Sequence, residues 1–531
     1  MKMKKIIMYA ALAAMIMTSC KEVDEPGFVS DSSVAYVSVR VDNRPGTRAS
    51  DENPGIPAES TLNELYLVTF DASGRVMAIP GSTLCYTLAN QTGSYTDKKP
   101  EAAKISASSK NLVVIANPGG KLKDRIVNLK STDTYATFNA AIAETSIEDI
   151  MHAGGFTMIT SRSDKGMSAG NKIENAYVEI GNKLQTVSGT TSDADAKTEA
   201  EKDANRLEVK LERLASKLRV YKNSPIQAPD GAKADMSGWT VDARNTTYYP
   251  FAEKTLLTVN HLDGDYDNNF YTKDPNFFKD AVLGYSTGIE YVEIDGTTFA
   301  PKIFGGSWNT PGADKISYVI ENTMNDDNQV FGSATRIVME ATYYPKFTPE
   351  LAADADWFSW AGIDYPSLTA LQDAYRGGEA GASSALKDAC DDFTAKVKAA
   401  NTSIPSGALF TDLTQEQLNA VQNGGQAVKN GNNPVIRWYQ KGRCYYYYEI
   451  RHDNETAVNM AFGKYGVVRN NWYDLTLKSV NGPGTPWYPE VTNPGPGDPD
   501  PKDPIDEQAS YLGVTVQVND WIIWTTDMDV R

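Results

Sequence analysis

The twenty residues 511–530, which precede the final Arg531, constrain the fold of this chain most. They read YLGVTVQVNDWIIWTTDMDV. The apolar residues on alternate positions are Leu512, Val514, Val516 and Val518. Such alternation is the pattern of a β-strand with one buried face. A continuous apolar run that begins at Trp521 and ends at Trp524 follows it. Because an exposed segment of this kind aggregates, the end of the chain must be buried.

Composition places the chain among soluble all-β proteins. The 531 residues are 41% apolar and 22% charged, which excludes wholesale disorder and a polytopic membrane protein. The net charge of -17 argues against binding to nucleic acid. The 28 tyrosines, 40 glycines and short β-branched runs between turn clusters predict an all-β fold, with helices as insertions.

The first twenty residues predict export. Three lysines precede an apolar stretch that is too short to be a permanent membrane span, and small residues lead to Cys20. This pattern is typical of a bacterial lipoprotein signal, in which Cys20 is lipidated after cleavage. An ordinary secretory signal with a coincidental cysteine is the alternative. In both cases the protein leaves the cytoplasm.

The sequence predicts no enzyme, metal site or cofactor. Cys85, Cys390 and Cys444 allow at most one intramolecular disulfide among themselves, and no zinc-type CxxC occurs. The three histidines lie in no metal-binding spacing, and nucleophile-elbow and phosphate-loop motifs are absent. An acidic run at 263–269 opens like a calcium loop, but it lacks the required glycine and reaches Asp274 where Glu is usual, so an acidic turn is favoured.

Near its start, the chain carries an alternating strand followed by a cleavable loop. In residues 34–41 one strand face presents Val37, Val39 and Val41. The loop after it contains Arg48 followed by Ala49, where a trypsin-like protease would cut.

Between the two ends, the pattern predicts two β regions. Residues 207–220 form a strand interrupted near Arg213, two helices lie within 121–148, and a helical insertion occupies about 351–430. Four successive tyrosines, 445–448, place two rings on each face of a strand, and core packing is favoured over a sugar-stacking platform. Eight prolines between 483 and 504 predict a stiff linker of up to roughly 70 Å that presents the terminal strand away from its own body.

These features together resemble the Bacteroidales fimbrillins, the shaft subunits of type V pili, and within them most the Mfa-type major subunits of the Porphyromonas short fimbria. The resemblance is carried by the signal ending at Cys20, the strand and arginine before Ala49, the motif at 212–217, the segment 466–477 and the terminal strand. Residues 121–200 and 351–430 carry little of it.

The resemblance implies an all-β architecture of two tandem transthyretin-like β-sandwiches. The implied map is a signal at 1–20, a propeptide with a removable strand at 21–48, sandwiches at 49–220 and 221–481, a linker at 482–510 and a donor strand at 511–531. An arginine-specific protease would cut between Arg48 and Ala49 and so release Val37, Val39 and Val41. The donor residues would be Leu512, Val514, Val516, Val518, Trp521 and Trp524.

The same resemblance implies a lipid-anchored precursor at the outer membrane and then an extracellular fimbrium. Its partners would be identical subunits arranged head to tail, tip and anchor pilins, the maturation protease, and receptors on host or bacterial surfaces. A groove that lacks one strand can accept a strand from another chain, and this non-closing contact gives a filament. The alternatives are a surface glycan-binding lipoprotein, or a tip or anchor subunit of the same pilus.

Overall fold

The computed structural model describes most of the chain. The described residues are 33–42, 53–54, 59, 61–78, 84–88, 100–160, 178–258, 270–277, 288–295, 307–312, 315–377, 381–432, 434–453, 458–507 and 512–522. Strands dominate and the helices are few, so the prediction of an all-β fold with helical insertions is confirmed.

The first β-sandwich is built mainly from residues 33–213. The strands in this range are β1 (Val34–Val37), β2 (Val39–Asp42), β3 (Asn53–Pro54), β4 (Leu65–Phe70), β5 (Tyr86–Leu88), β6 (Ala103–Ser106), β7 (Asn111–Ala116), β8 (Met151–His152), β9 (Gly155–Phe156), β10 (Met158–Thr160), β11 (Val178–Glu179), β12 (Gln185–Thr186) and β13 (Leu207–Arg213). One sheet has the order β2-β13-β10-β7-β4-β5, with β11 also paired to β7, and the other is β12-β1-β6. Their facing side chains form a single hydrophobic core.

Short helices cover the first sandwich. They are α1 (Gly120–Val127), α2 (Tyr135–Phe138), α3 (Ile147–Ile150) and α4 (Asp193–Ala200). Three helices therefore lie where two were predicted, because Thr134 and Ser146 each form a capping box that starts a new helix. Leu122 and Phe138 pack on the large sheet, which leaves β7 buried along its whole length.

The second β-sandwich uses most of the remaining chain. Its strands, with those of the insertion, are β14 (Ala215–Gln227), β15 (Lys233–Asp242), β16 (Arg244–Asn245), β17 (Glu253–Thr258), β18 (Phe270–Lys273), β19 (Ile289–Glu290), β20 (Ile316–Ile320), β21 (Arg336–Tyr344), β22 (Trp357–Trp360), β23 (Ile363–Tyr365), β24 (Arg437–Tyr439), β25 (Arg443–Glu449), β26 (Asn471–Val480) and β27 (Leu512–Ile522). The sheet β20-β14-β26-β27-β3 packs against the sheet β15-β21-β25 over a second core.

The helical insertion has a core of its own. Its helices are α5 (Leu368–Arg376), α6 (Ser384–Ala400) and α7 (Gln415–Asn419), and they pack on the sheet β23-β22-β24. The predicted insertion at about 351–430 is confirmed. Phe358, Phe393 and Trp438 form the aromatic centre of this core.

One strand pair runs from the first sandwich into the second. β13 ends at Arg213 and β14 begins at Ala215, so the predicted interruption lies at Leu214, which is fully buried. The chain changes sheets at this point, a few residues before the expected boundary near 220. We call the contact region around Leu214 the junction.

The proline-rich linker does not extend away from the body. Trp487, Tyr488 and Val491 are almost completely buried, and Thr485 forms a bridge with Tyr445 of β25. The prediction of a stiff projecting arm is therefore wrong for this state of the protein. Burying two large aromatic side chains is worth several kcal/mol at about 25 cal/mol per Å², which outweighs the preference of prolines for an extended path.

Candidate functional site

The N-terminal segment 34–42 contributes to both sheets of the first sandwich. β1 lies between β6 and β12 in the small sheet, with Ala35 opposite both Ile105 and Thr186. After Ser38 the chain crosses the core, and β2 pairs in parallel with β13 at the edge of the large sheet. Removal of this one segment would therefore open both sheets at once.

The single strand predicted over 34–41 is wrong, because the chain changes sheets after Val37, but its three predicted core residues are buried as expected. Val37, Val39 and Val41 are each at most 1% exposed and belong to the hydrophobic core of the first sandwich. Tyr36 has the opposite orientation and packs on Ala196 and Ala200 of α4. The segment thus acts as a plug, with its valines in the first core and the Tyr36 ring buried beneath α4.

A polar clasp holds the crossover between β1 and β2. Ser38 is buried, and its carbonyl oxygen accepts a 2.8 Å hydrogen bond from the Leu207 amide. The Arg206 guanidinium donates to the Ser38 hydroxyl at 2.5 Å and to the Pro100 carbonyl at 3.0 Å. Nothing in the residue pattern distinguished Arg206, because its partners come from segments far away in sequence.

The C-terminal strand docks on the second sandwich of its own chain. β27 pairs antiparallel with β26 over nine residue pairs, with Val516 opposite Leu475 and Val514 opposite Leu477. Val516 is 8% exposed and belongs to the second core, on which Leu512 and Val514 also pack. These three residues therefore lie on the core side of β27.

The remaining predicted site residues are described only in part or not at all. Val518 and Trp521 lie within β27, with backbone partners Tyr473 and Asn53. Cys20, Arg48, Ala49 and Trp524 lie outside the described residues. Lipidation, processing and the depth of the terminal tryptophan therefore stay predictions.

A buried ionic cluster at the junction was missed by sequence reasoning. Glu59 is completely buried, and its carboxylate lies 2.9 Å from the Lys217 ammonium and accepts a 2.5 Å hydrogen bond from the Tyr318 hydroxyl. Its backbone carbonyl accepts a 2.9 Å hydrogen bond from Arg213 Nε. Lys217 also lies 3.7 Å above the Trp472 ring. A single glutamate in a loop-like stretch gave no signal of this role.

Burial sets the protonation behaviour of the junction cations. Desolvation lowers the pKa of Arg213 to about 9, although Glu59 and Tyr318 oppose the shift. Desolvation also lowers the pKa of Lys217, and the nearby Glu59 carboxylate again opposes it. These cations depend on Glu59 because water cannot solvate them.

Further ion pairs hold β14, β20 and β26 together at the junction. Arg469 pairs with Glu321 at 2.9 Å, and both side chains are nearly completely buried. Arg219 binds Asp474 through two hydrogen bonds of 2.7 and 2.6 Å. These pairs join neighbouring strands of the sheet that carries the C-terminal strand to one another at this end.

The first two rings of the tyrosine run in β25 are buried in packing. Tyr446 lies in the second core, whereas Tyr445 packs against Trp308 and Tyr488 of a smaller cluster. The Tyr446 hydroxyl donates to the Gly482 carbonyl at 2.7 Å. A cavity of about 260 Å³ remains between Tyr447 and the linker. Tyr445 and Tyr446 are thus buried in packing, as the core-packing interpretation predicted, and Tyr446 also holds the start of the linker.

Among the described residues, no cluster of three His, Cys, Asp or Glu side chains could hold a metal, and none of the helices could span a membrane. Asp274 accepts hydrogen bonds from Asn245, Asn276 and Thr323, so its carboxylate is directed at protein donors. Cys390 and Cys444 are buried free thiols, and burial raises the pKa of each to about 12.

Two sequence-family models match this chain. The model described as "Major fimbrial subunit protein (FimA)" matches residues 35–213, the range of the first sandwich from β1 to the end of β13. The model described as "Major fimbrial subunit protein type IV, Fimbrillin, C-terminal" matches residues 437–527, from β24 through the terminal strand. Both chain ends that form the site lie inside these matches, whereas the helical insertion lies outside them. A search of curated proteins found no match.

Solved structures of fimbrial proteins show low similarity over most of the chain. A fimbrilin from Porphyromonas gingivalis W83 is 14% identical, with a TM-score of 0.39, and the match covers 92% of this chain and 98% of that one. The C-terminally truncated tip fimbrial protein Mfa3 from Porphyromonas gingivalis is 12% identical, with a TM-score of 0.35, over 92% and 100% of the two chains.

The fold and the two family matches define a class of two-sandwich, all-β proteins whose chain ends each supply a separate strand. The matched segments together span about half of the chain. The protein belongs to the fimbrillin family.

Proposed function

We propose that this protein is a structural subunit of a cell-surface fimbria that supports adhesion and polymerises head to tail by donor-strand exchange. It would be exported as a lipoprotein with Cys20 lipidated and matured by an arginine-specific protease between Arg48 and Ala49. The observation that carries the proposal is the segment 34–42, a separable plug that fills both sheets of the first sandwich. The terminal strand has the same apolar alternation and is the candidate replacement.

Proteolysis would decide which strand occupies the groove. While the plug is covalently attached, its effective concentration at the groove of the first sandwich is about millimolar. A donor strand from another molecule at micromolar concentration cannot displace it. After cleavage the plug can dissociate and dilute, and a donor of similar affinity then wins. The three core valines of the plug and the four alternating residues of the donor are comparable in apolar content.

The proposal requires the donor strand to leave its own sandwich. In the monomer β27 occupies the edge of β26, so release breaks a nine-pair ladder and uncovers part of the second core. The linker contacts through Trp487 would limit how far the strand reaches unless they also open. Subunit partners would be identical copies along the shaft, with tip and anchor pilins at its ends.

The proposal is tested by controlled proteolysis. The purified precursor is treated briefly with trypsin, cleavage at Arg48 is verified by the appearance of Ala49 as a new N-terminus, and oligomers are followed by gel electrophoresis and electron microscopy. We expect a ladder of oligomers and filaments from the wild type, and monomers from Arg48→Ala. Verified cleavage at Arg48 without any oligomers would contradict the proposal.

A further inference from the structure

The segment that follows the expected processing site is held at the junction by one buried side chain. Glu59 lies ten residues beyond Ala49 and is completely buried. Its carboxylate contacts Lys217 of β14 and Tyr318 of β20, and its backbone contacts Arg213 of β13. Three strands from both sandwiches therefore hold this one residue in place.

The same segment reaches the end of the C-terminal strand. β3 pairs in parallel with β27, with Asn53 opposite Trp521 and Pro54 opposite Ile522. The sheet order places β27 between β26 and β3. At its junction end the C-terminal strand is therefore not an open edge, because β3 covers it.

The C-terminal strand and the Glu59 cluster meet at the junction end of one sheet. Lys217 is opposite Trp472 across β14 and β26, and Trp472 is opposite Asn519 of β27. The Lys217 ammonium also contacts both Glu59 and the Trp472 ring. Neighbouring residues thus connect Glu59 to the last residue pairs between β26 and β27.

Stability alone does not explain a fully buried ionic group here. Desolvating a carboxylate and two cations offsets most of the attraction between them, and well-packed apolar groups often serve as well. What such a cluster supplies is a fixed position, since a misplaced chain would take the Glu59 carboxylate away from the buried Lys217 ammonium. The buried charge fixes the position of Glu59, which follows the end of β3 by five residues.

We propose that Glu59 is a positioning residue that holds β3 across the end of β27 and so keeps the C-terminal strand docked on its own sandwich. Its significance for assembly rests on the proposed donor-strand function. Cleavage at Arg48 frees one end of the segment that carries β3, whereas the Glu59 anchor stays. The clamp therefore slows strand release in both the precursor and the cleaved subunit.

The test is amide hydrogen exchange of the uncleaved monomer, with peptides that cover residues 512–522. In Glu59→Gln we expect exchange at 519–522 to become faster by roughly tenfold, the factor that corresponds to losing a charge-assisted hydrogen bond. Tyr318→Phe keeps the ring that packs edge to face on Phe156 and removes one hydrogen bond to Glu59, so a smaller increase in the same direction is expected.

Asp242→Asn is the matched control. Asp242 is a fully buried carboxylate that pairs with Arg336 at 2.6 Å in the other sheet of the second sandwich. It should change exchange at 519–522 no more than elsewhere in that sandwich. Unchanged exchange at 519–522 in both test variants, or an increase spread evenly as in the control, would overturn the inference. Because the measurement uses monomers, a failure to polymerise after cleavage would count only against the proposed function.

Discussion

His452 is a buried neutral base in the second sandwich. It is 1% exposed, and its Nδ1 lies 2.8 Å from the Tyr473 hydroxyl oxygen, which accepts a hydrogen bond from the Val468 amide. Desolvation lowers the pKa of His452 to about 4. The folded pKa lies below the usual 6.5, so between these values the unfolded chain binds the proton more readily. The contribution of the neutral His452 to the free energy of unfolding is therefore fully present above pH 6.5 and is lost as the pH falls towards 4.

The histidine gives a prediction on acid stability. Between pH 7 and 4.5 the free energy of unfolding of His452→Gln should fall by about 2 to 3 kcal/mol less than that of the wild type, because glutamine has no proton to gain. Urea titrations at both pH values measure this difference. Between pH 7 and 8 the two proteins should run parallel. Equal losses on acidification would show that His452 does not carry the effect.

Proteolysis can separate the contribution of the plug to the free energy of unfolding from that of the rest of the protein. Val39→Ala leaves a cavity in the first core, and we expect the uncleaved protein to lose about 2 kcal/mol of unfolding free energy, the usual worth of such a side chain. Denaturant unfolding measures it. Once the plug has been cut and removed, the variant and the wild type are the same molecule and should unfold identically.

A matched control for this substitution is Val458→Ala. Val458 is 64% exposed, so the same change there should leave the unfolding free energy within about 0.5 kcal/mol. A destabilisation by Val39→Ala that persists unchanged after cleavage at Arg48 would mean that the plug had not been released.

For the molecule as a whole, the two sandwiches have separate cores and the terminal strand belongs to only one of them. A chain that ends at residue 510 should lose roughly 2 kcal/mol or more from the second sandwich, because Val516 alone is worth about that much. Hydrogen exchange should rise in 471–480, where β26 loses its partner, and stay unchanged in 111–116 of the first sandwich. A projecting arm predicts no change in either segment.

Local patterns in the sequence were enough to locate both segments of the site. The alternation of Val37, Val39 and Val41, and of Leu512, Val514 and Val516, identified the buried faces because a strand has a period of two whatever its partner is. The interruption near Arg213 and the helical insertion were readable for the same reason. Each depends on neighbours a few residues apart.

Features that depend on distant partners could not be read in this way. The linker was expected to project because proline content sets local stiffness, yet the burial of Trp487 and Tyr488 depends on β25 and the insertion. Glu59 looked like an ordinary loop carboxylate until the fold brought Lys217 and Tyr318 to it across more than 150 residues. Residue pattern determines which strand face is apolar, but the sheet that receives it is chosen by packing between segments far apart in the chain. That is why the terminal strand lies on its own second sandwich.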